Sequence, residues 1–356
     1  ISPCKCEGSQ KYIHLSCLRR WQRTVQLGSS NHPEDRGAED RHLVCNVCKG
    51  TFNLPPQDRG ALLSDLAGAQ PSDVATGLLL VTKRSAGESL ASSSLDNLAI
   101  RAFLEAKAAH FRSAVYILTD ISPGAKDGSD VVLGVNLSRS LEAPNIECLS
   151  TDVAAEQLDN AEAKGVELLW MNGGPVKPRH VHAMALLERL PSPACDSEDG
   201  VQILFEGEGG AWVAHGDLEE VLSVACEDAT LSGKGAVIFA WAGYAQWSRT
   251  QLLGEMARGS WGWAPGGVDD VRSAIAAQLG GPSLWDSLRE SQRLSWAPAN
   301  ELSRDFEKRF PSSPQPAAHD PQAQALSVLV NQFETLRRDT AASSDAEAAP
   351  PRRPRG

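Results

Sequence analysis

Apolar runs of strand length recur along the middle of the chain, most of them bounded by turn residues. They fall at GLLLV (77–81), SAVYILTD (113–120), VVLGVNLSR (131–139), VELLW (166–170), VHAMALL (181–187), VQILF (201–205), AWVAH (211–215) and AVIFAWAG (236–243). Runs of this length, rich in β-branched and aromatic residues, predict strands. Between and after them the period changes. Leu218–Ala225 and Thr250–Arg258 read as helices, and in Val268–Leu279 the residues Val268, Val271, Ile275 and Leu279 stand three or four apart, as one helical face requires. Leu98–His110 has helical composition, and Ser85–Asn97 reads as a loop insertion.

The two ends carry a different pattern. Residues 1–54 hold a cysteine-rich block, with a polar loop over Gly28–His42. Residues 55–75 open on Pro55-Pro56 and are expected to be a linker with a short helix at Gly60–Leu66. Residues 76–300 hold the strands and helices of a separate globular domain. Residues 311–356, rich in Pro and Ala and ending in PPRRPRG, read as a disordered tail, within which Leu326, Leu329, Val330, Phe333 and Leu336 share one face of a helix at 322–338. Strands and helices in this mixed order predict an α+β protein.

Composition narrows the function classes. The chain has 356 residues, 42% hydrophobic and 22% charged, enough for one sizeable core beside a smaller module. Its net charge of −11 argues against nucleic acid as a partner. Residues 1–59 depart from that balance, with nine Lys/Arg against six Asp/Glu. No stretch approaches the ~20 apolar residues of a membrane helix, so no membrane segment is expected. The chain begins at Ile1, so the sequence reads as a fragment or a processed chain, in which targeting is not legible.

Five of the eight cysteines lie within the first 48 residues, in short-spaced pairs. Cys4 and Cys6 form C-x-C, His14 and Cys17 form H-x-x-C, and Cys45 and Cys48 form C-x-x-C. A disulfide framework would spread through the chain, whereas clustering with a nearby histidine points to metal in a reducing, intracellular compartment, the cytoplasm first. Zinc takes four nitrogen or sulfur ligands, and a tight turn brings two of them to one ion at little entropic cost. Cys148, Cys195 and Cys226 are scattered and read as buried or surface thiols. The lone His32 and His42 sit in the polar loop and read as solvated.

The stretch PCKCEGSQKYIHLSCLRRW, followed by CNVCKGTF, resembles the RING-CH (RING-variant) finger, whose ligands run four Cys, one His, three Cys in a cross-brace. The resemblance implies that Cys4, Cys6, Cys45 and Cys48 form one complete zinc site. It implies that His14 and Cys17 form half of a second, with two cysteines expected upstream of Ile1. Members commonly act as ubiquitin ligases that hold a ubiquitin-conjugating enzyme (E2) and contribute no nucleophile. The aromatic residue that usually faces the E2 matches Trp21. The chain departs from the pattern in the long loop between Cys17 and Cys45, and in Asn46 where many such fingers carry proline.

A second resemblance covers some 190 residues. GYAQWSRTQLLGEMARGSW (243–261) is similar to the signature of the AlgH/YqgE family, on Gly243, Tyr244, Trp247, Gln251, Leu252, Glu255 and Trp261. FRSAVYILTD with VVLGVN, and WMNGGPV (170–176), agree with it. The resemblance implies a mixed domain with a curved β-sheet and flanking helices, with no secure enzymatic activity and therefore a non-catalytic binding module. The residues allow their own reading. Asn172-Gly173-Gly174-Pro175 after a strand is a turn, because glycine reaches positive φ and proline fixes the exit. Trp247 and Gln251, four apart, are expected on one helical face packed on the sheet or lining a groove. His180 and His182, two apart on a strand, share a side and could bind a metal given a third ligand that the sequence does not locate.

Together these readings give a zinc-binding protein whose finger recruits an E2 while the larger domain selects a protein substrate. The alternative is a non-enzymatic interaction protein stapled by zinc.

Overall fold

The structure, a computed structural model, describes residues 1–28, 41–83, 113–124, 130–141, 155–189 and 200–309. The expected loop at Ser85–Asn97, the helix at Leu98–His110, the tail helix, His32, Cys148 and Cys195 lie outside these residues.

The architecture is α+β, with a curled half-barrel sheet of nine strands. The strands are β1 (Leu78–Thr82), β2 (Val115–Ser122), β3 (Val131–Asn136), β4 (Val166–Asn172), β5 (Val176–Leu187), β6 (Gln202–Glu206), β7 (Trp212–Asp217), β8 (Ala236–Ser248) and β9 (Trp261–Pro265). Their order is β6-β7-β5-β8-β3-β2-β1-β9, antiparallel throughout, and β4 adds a parallel pairing to β8. The helices are α1 (Leu15–Gly28), α2 (Arg59–Ala67), α3 (Ala155–Ala163), α4 (Leu218–Ser232), α5 (Arg249–Ala257), α6 (Val268–Gln278), α7 (Leu284–Glu290) and α8 (Glu301–Arg309). Each strand expected from its apolar run is present. The helices expected at 218, 250 and 268 are present too, the first extended by two turns to Ser232.

The strand period of two sorts the apolar residues between layers. From β1, Leu78 and Leu80 join one core with α2 and α5, while Leu79 and Val81 join a second core with α6 and α7. From β8, Phe239 and Trp241 enter the second core, Ala245 and Trp247 the first, and Ile238 and Ala240 a third beneath α4. Both faces of these strands are covered, which is why they read as continuous apolar runs.

β8 holds the sheet together. Over Ala236–Ala242 it pairs with β4 along one edge, and with β5 along the other. The chain leaving β4 must therefore pass over β8 to start β5, and Gly173-Gly174-Pro175 makes that crossing. A Cβ on Gly173 would sit 2.0 Å from the Gly243 carbonyl oxygen, and one on Gly174 2.4 Å from the Tyr244 carbonyl carbon. The glycines are needed for close backbone approach as much as for turn geometry.

Residues 55–75, expected as a linker, contain α2, one residue longer at either end than the expected helix. Its Leu62, Leu63, Leu66 and Ala67 are buried in the first core. Asp58 caps its start by accepting from Ala61 N–H at 2.8 Å, and Gly68 ends it in the left-handed region at φ 72°.

Candidate metal centre

The amino-terminal segment is held in place by its backbone. Ile13 N–H donates to Ile1 O at 3.0 Å and Asn53 N–H to Pro3 O at 2.7 Å, which brings residues 1–6 against the segment around Cys45–Asn53. Cys45 N–H donates to Gly50 O and Lys49 N–H to Cys45 O, both at 2.9 Å, with Lys49 at φ 56°. This closes a tight turn that points Cys45 and Cys48 the same way. Val44 and Thr51 bridge the two sides of the turn.

The outcome is a cluster of four sulfurs, from Cys4, Cys6, Cys45 and Cys48, all within 4.8 Å of one another. Cys6 Sγ and Cys45 Sγ lie 3.7 Å apart. Four sulfurs at about 2.3 Å from a tetrahedral ion stand about 3.8 Å from each other, so the donor set and its spacing fit zinc. Backbone N–H groups serve the sulfurs as well: those of Cys48 and Val47 point to Cys45, those of Gly50 and Lys5 to Cys48, and that of Cys6 to Cys4. The hydrogen bond from Gly50 is the main reason that Cys48 is brought down to about 6. The Cys6 thiol, hydrogen-bonded to Cys4 and partly desolvated, is pushed up to about 12. Crowded thiols divide in this way because thiolates cannot gather without a cation to balance them. Zinc held by these four cysteines would supply that charge and staple the segment, a structural role without a chemical step.

His14 and Cys17 stand apart from this cluster. Both are exposed, His14 immediately before α1 and Cys17 in its first turn, three apart in sequence. Trp21, one turn further, is half-buried and meets Phe52 edge-to-face with ring centroids 5.7 Å apart. Two glutamines that the sequence reading passed over fix α1. Gln22 and Gln26 are buried, and their amides donate to the carbonyls of His42 and Leu54 (both 3.2 Å) and of Gln57 (2.8 Å). Their spacing of four was the available signal. His42, expected to be solvated, is half-buried for the same reason: its carbonyl is tied to Gln22. Of the large apolar side chains left exposed among the described residues, Ile1, Tyr12, Ile13, Leu15 and Val47 belong to this module.

The expected shared helical face of Trp247 and Gln251 is corrected by the structure. Trp247 lies in β8, one residue before its end, and Gln251 lies in the first turn of α5 after the Ser248 cap. β8 runs on because its Ala245–Ser248 stretch finds a partner in β3. The signature residues converge all the same. Glu255 accepts from Trp247 Nε1 at 3.2 Å, from Trp261 Nε1 at 2.8 Å and from Gln251 Nε2 at 3.0 Å. Tyr116 packs edge-to-face on both indoles; the three rings are buried, and Gln251 and Glu255 are half-buried beside them.

The histidine pair gains the partner that the sequence could not locate. On β7, Asp217 lies directly opposite His182 of β5. His180 Nε2 is 3.7 Å from Asp217 Oδ1, and one donor atom from each of His180, His182 and Asp217 lies within 4.8 Å of the others. His215 stacks on His182 at 5.9 Å. Desolvation brings His182 down to about 4 and His215 to about 3, so both imidazoles are neutral near pH 7.

Comparison with known proteins assigns the parts. A family model described as AlgH-like matches residues 101–296, and one described as RING-variant domain matches residues 1–50. The E3 ubiquitin-protein ligase MARCHF7 of Rattus norvegicus is 34% identical over 59 residues, 16% of this chain and 7% of the relative. The E3 ubiquitin-protein ligase MARCHF5 of Danio rerio is 53% identical over 30 residues, 8% of this chain and 10% of the relative. The chain thus spans about a tenth or less of the length of these curated relatives. Two solved structures resemble the larger part. One is a crystal structure of a protein from Corynebacterium diphtheriae (TM-score 0.34, 18% identity, 61% of this chain and 88% of that chain). The other is the solution structure of AlgH from Pseudomonas aeruginosa (TM-score 0.29, 20% identity, 60% of this chain and 93% of that chain). Among the described residues no helix is long and apolar enough to cross a membrane.

Proposed function

We propose a function from one premise: the chain belongs to the AlgH-like family, and a zinc-binding RING-variant domain occupies its first 50 residues. The protein acts as a RING-type ubiquitin ligase or ligase adaptor. Its finger docks a ubiquitin-conjugating enzyme, and its AlgH-like domain is a non-catalytic module that engages the protein to be modified. Cys4, Cys6, Cys45 and Cys48 hold the zinc, His14 and Cys17 contribute to a second site, and Trp21 lies on the docking face.

The observation that carries this reading is the juxtaposition of a four-sulfur cluster with exposed apolar side chains. Val47 is 64% exposed between two of the cysteines, and Tyr12 is 69% exposed before α1. Large apolar side chains exposed beside a structural metal site give a partner apolar surface to bury. An E2 gains nothing chemical from the finger; it gains a surface that holds its thioester in a reactive arrangement.

The test is discharge of ubiquitin from charged E2 enzymes by the zinc-loaded, full-length protein. Faster discharge with at least one E2 is expected. Val47→Arg should slow it about tenfold or more, equivalent to roughly 1.4 kcal/mol of docking energy, while zinc content stays unchanged. Discharge no faster with the protein than without it, across a broad E2 panel, would remove the ligase reading. Such a result would favour the second reading, a zinc-stabilised interaction protein without enzymatic action. Asn46 in place of the usual proline, exposed at the tip of the cysteine turn, supports that alternative.

A further inference from the structure

The geometry points to a further metal site, separate from those of the finger, in which His180, His182 and Asp217 bind a divalent first-row transition ion of the zinc class at the mouth of a cavity in the AlgH-like domain.

Strand geometry builds the site. His180 and His182 are two apart on β5, and His215 and Asp217 are two apart on β7. The two strands are antiparallel neighbours, with His182 opposite Asp217 and Met184 opposite His215. Period two and this register set all four side chains on one face, the face whose Val213, Met184 and Tyr244 line the second core. His180 sits in an irregular stretch of β5, where pairing to β8 skips from Val176 to Val181. Irregularities of this kind re-aim side chains. Here the His180 ring meets His182 edge-on at 4.3 Å and reaches Asp217.

Two further observations point to a ligand. Asp217 is the residue before α4, where an aspartate ordinarily caps the helix through its side chain, yet it makes no capping hydrogen bond. Its carboxylate is turned to the histidines instead. His215 is 8% exposed, and its Nε2 is buried with no hydrogen-bond partner. The same ring lines a cavity of about 190 Å³ together with His182, Asp217, Tyr244, Gln202 and Thr119. Buried polar nitrogens are almost always satisfied. A water or small oxygen ligand carried by an ion at the cavity mouth would give this one its partner.

The donor chemistry selects the ion. Two imidazoles and one carboxylate suit zinc and its neighbours rather than calcium or magnesium, which prefer oxygen alone. Bonds of about 2.1 Å draw tetrahedral donors to about 3.4 Å from one another. The His180–Asp217 separation of 3.7 Å is already near that figure. His180 and Asp217 are 46% and 60% exposed in their side chains, free to close the remaining distance by small rotations. Three protein donors leave a position facing the cavity, as in sites where the metal holds an exchangeable ligand.

The experiment is a zinc titration of the full-length protein, followed by calorimetry and by metal analysis after removal of free ion. Wild type is expected to take up one equivalent beyond all that the finger ligands Cys4, Cys6, Cys45, Cys48, His14 and Cys17 hold. His180→Ala and Asp217→Asn each alter an exposed side chain and leave the cores intact. Both should weaken or abolish the extra equivalent, by at least the 10–100-fold known for residues one shell further out. Cys45→Ser should leave it in place, which separates this site from the finger. Equal uptake by wild type and both variants, or no uptake beyond the sites of the finger, would overturn the proposal.

Discussion

The finger and the sheet domain reach a fixed shape by different physics. In residues 1–54 the buried apolar side chains among those described are Pro3, Cys6, Leu18 and Cys45. In the sheet domain β1 alone buries all five of its residues, and three apolar clusters fill the layers between strands and helices. A module of some fifty residues has too little interior to offset its chain entropy. Four sulfurs around an ion replace the core it lacks. The larger domain needs no such staple. The two meet through α1, whose Leu27 packs on the first core and whose Arg23 pairs with Glu301 of α8 at 2.6 Å.

The largest test of this contrast is zinc removal. Chelation, or Cys45→Ser, removes metal-binding free energy on the order of 10 kcal/mol. Amide hydrogen exchange should then show residues 1–54 losing protection while β1–β9 keep theirs. Loss of protection spreading into the sheet would mean that the two regions are one cooperative unit.

A smaller effect is expected inside the sheet domain. Glu255→Ala leaves the indole N–H groups of Trp247 and Trp261 without their acceptor, a cost of about 1–3 kcal/mol. Thermal unfolding should shift down with zinc content unchanged. An unchanged midpoint would mean that the carboxylate serves a ligand rather than the fold.

The smallest effect concerns the contact between the regions. The hydrogen bond from Arg23 holds the Glu301 carboxyl below its ordinary 4.5. A carboxylate with a lowered folded value stabilises above its unfolded value, and that contribution fades as pH falls through the folded one. Both side chains are largely exposed, so solvent screening limits the gain to at most ~1 kcal/mol. Glu301→Gln should therefore differ slightly from wild type in urea unfolding at pH 6, and match it at pH 3. A gap of the same size at both values would show that the pair is not the source.

Much of the sheet was legible because its strands are buried on both faces and so read as unbroken apolar runs. β9 and α7 were not, although Trp261, Trp263 and Trp285 are buried, because WGWAP and LWDSLRE are short and flanked by glycine and proline. The end of β8 was misread as helix because Trp247 and Gln251 stand four apart. Spacing alone cannot show that β3 offers hydrogen-bond partners there. The C-x-C and C-x-x-C spacings marked Cys4, Cys6, Cys45 and Cys48 as metal ligands, but that these two pairs share one ion was legible only through the resemblance to the RING-CH finger. The exposed apolar side chains Tyr12 and Val47 carried no signal of their own, for exposure depends on what packs nearby.

The sequence by itself determined which residues could serve as metal donors, where most strands lie, and that Gly173-Gly174-Pro175 is a turn, because these depend on side-chain chemistry and near neighbours along the chain. Only the tertiary structure decided that the turn crosses over β8, that Glu255 gathers two tryptophans, and that Asp217 stands across from His182. Those facts depend on strand register, and register is set by the burial of whole faces at once rather than by any local stretch of residues.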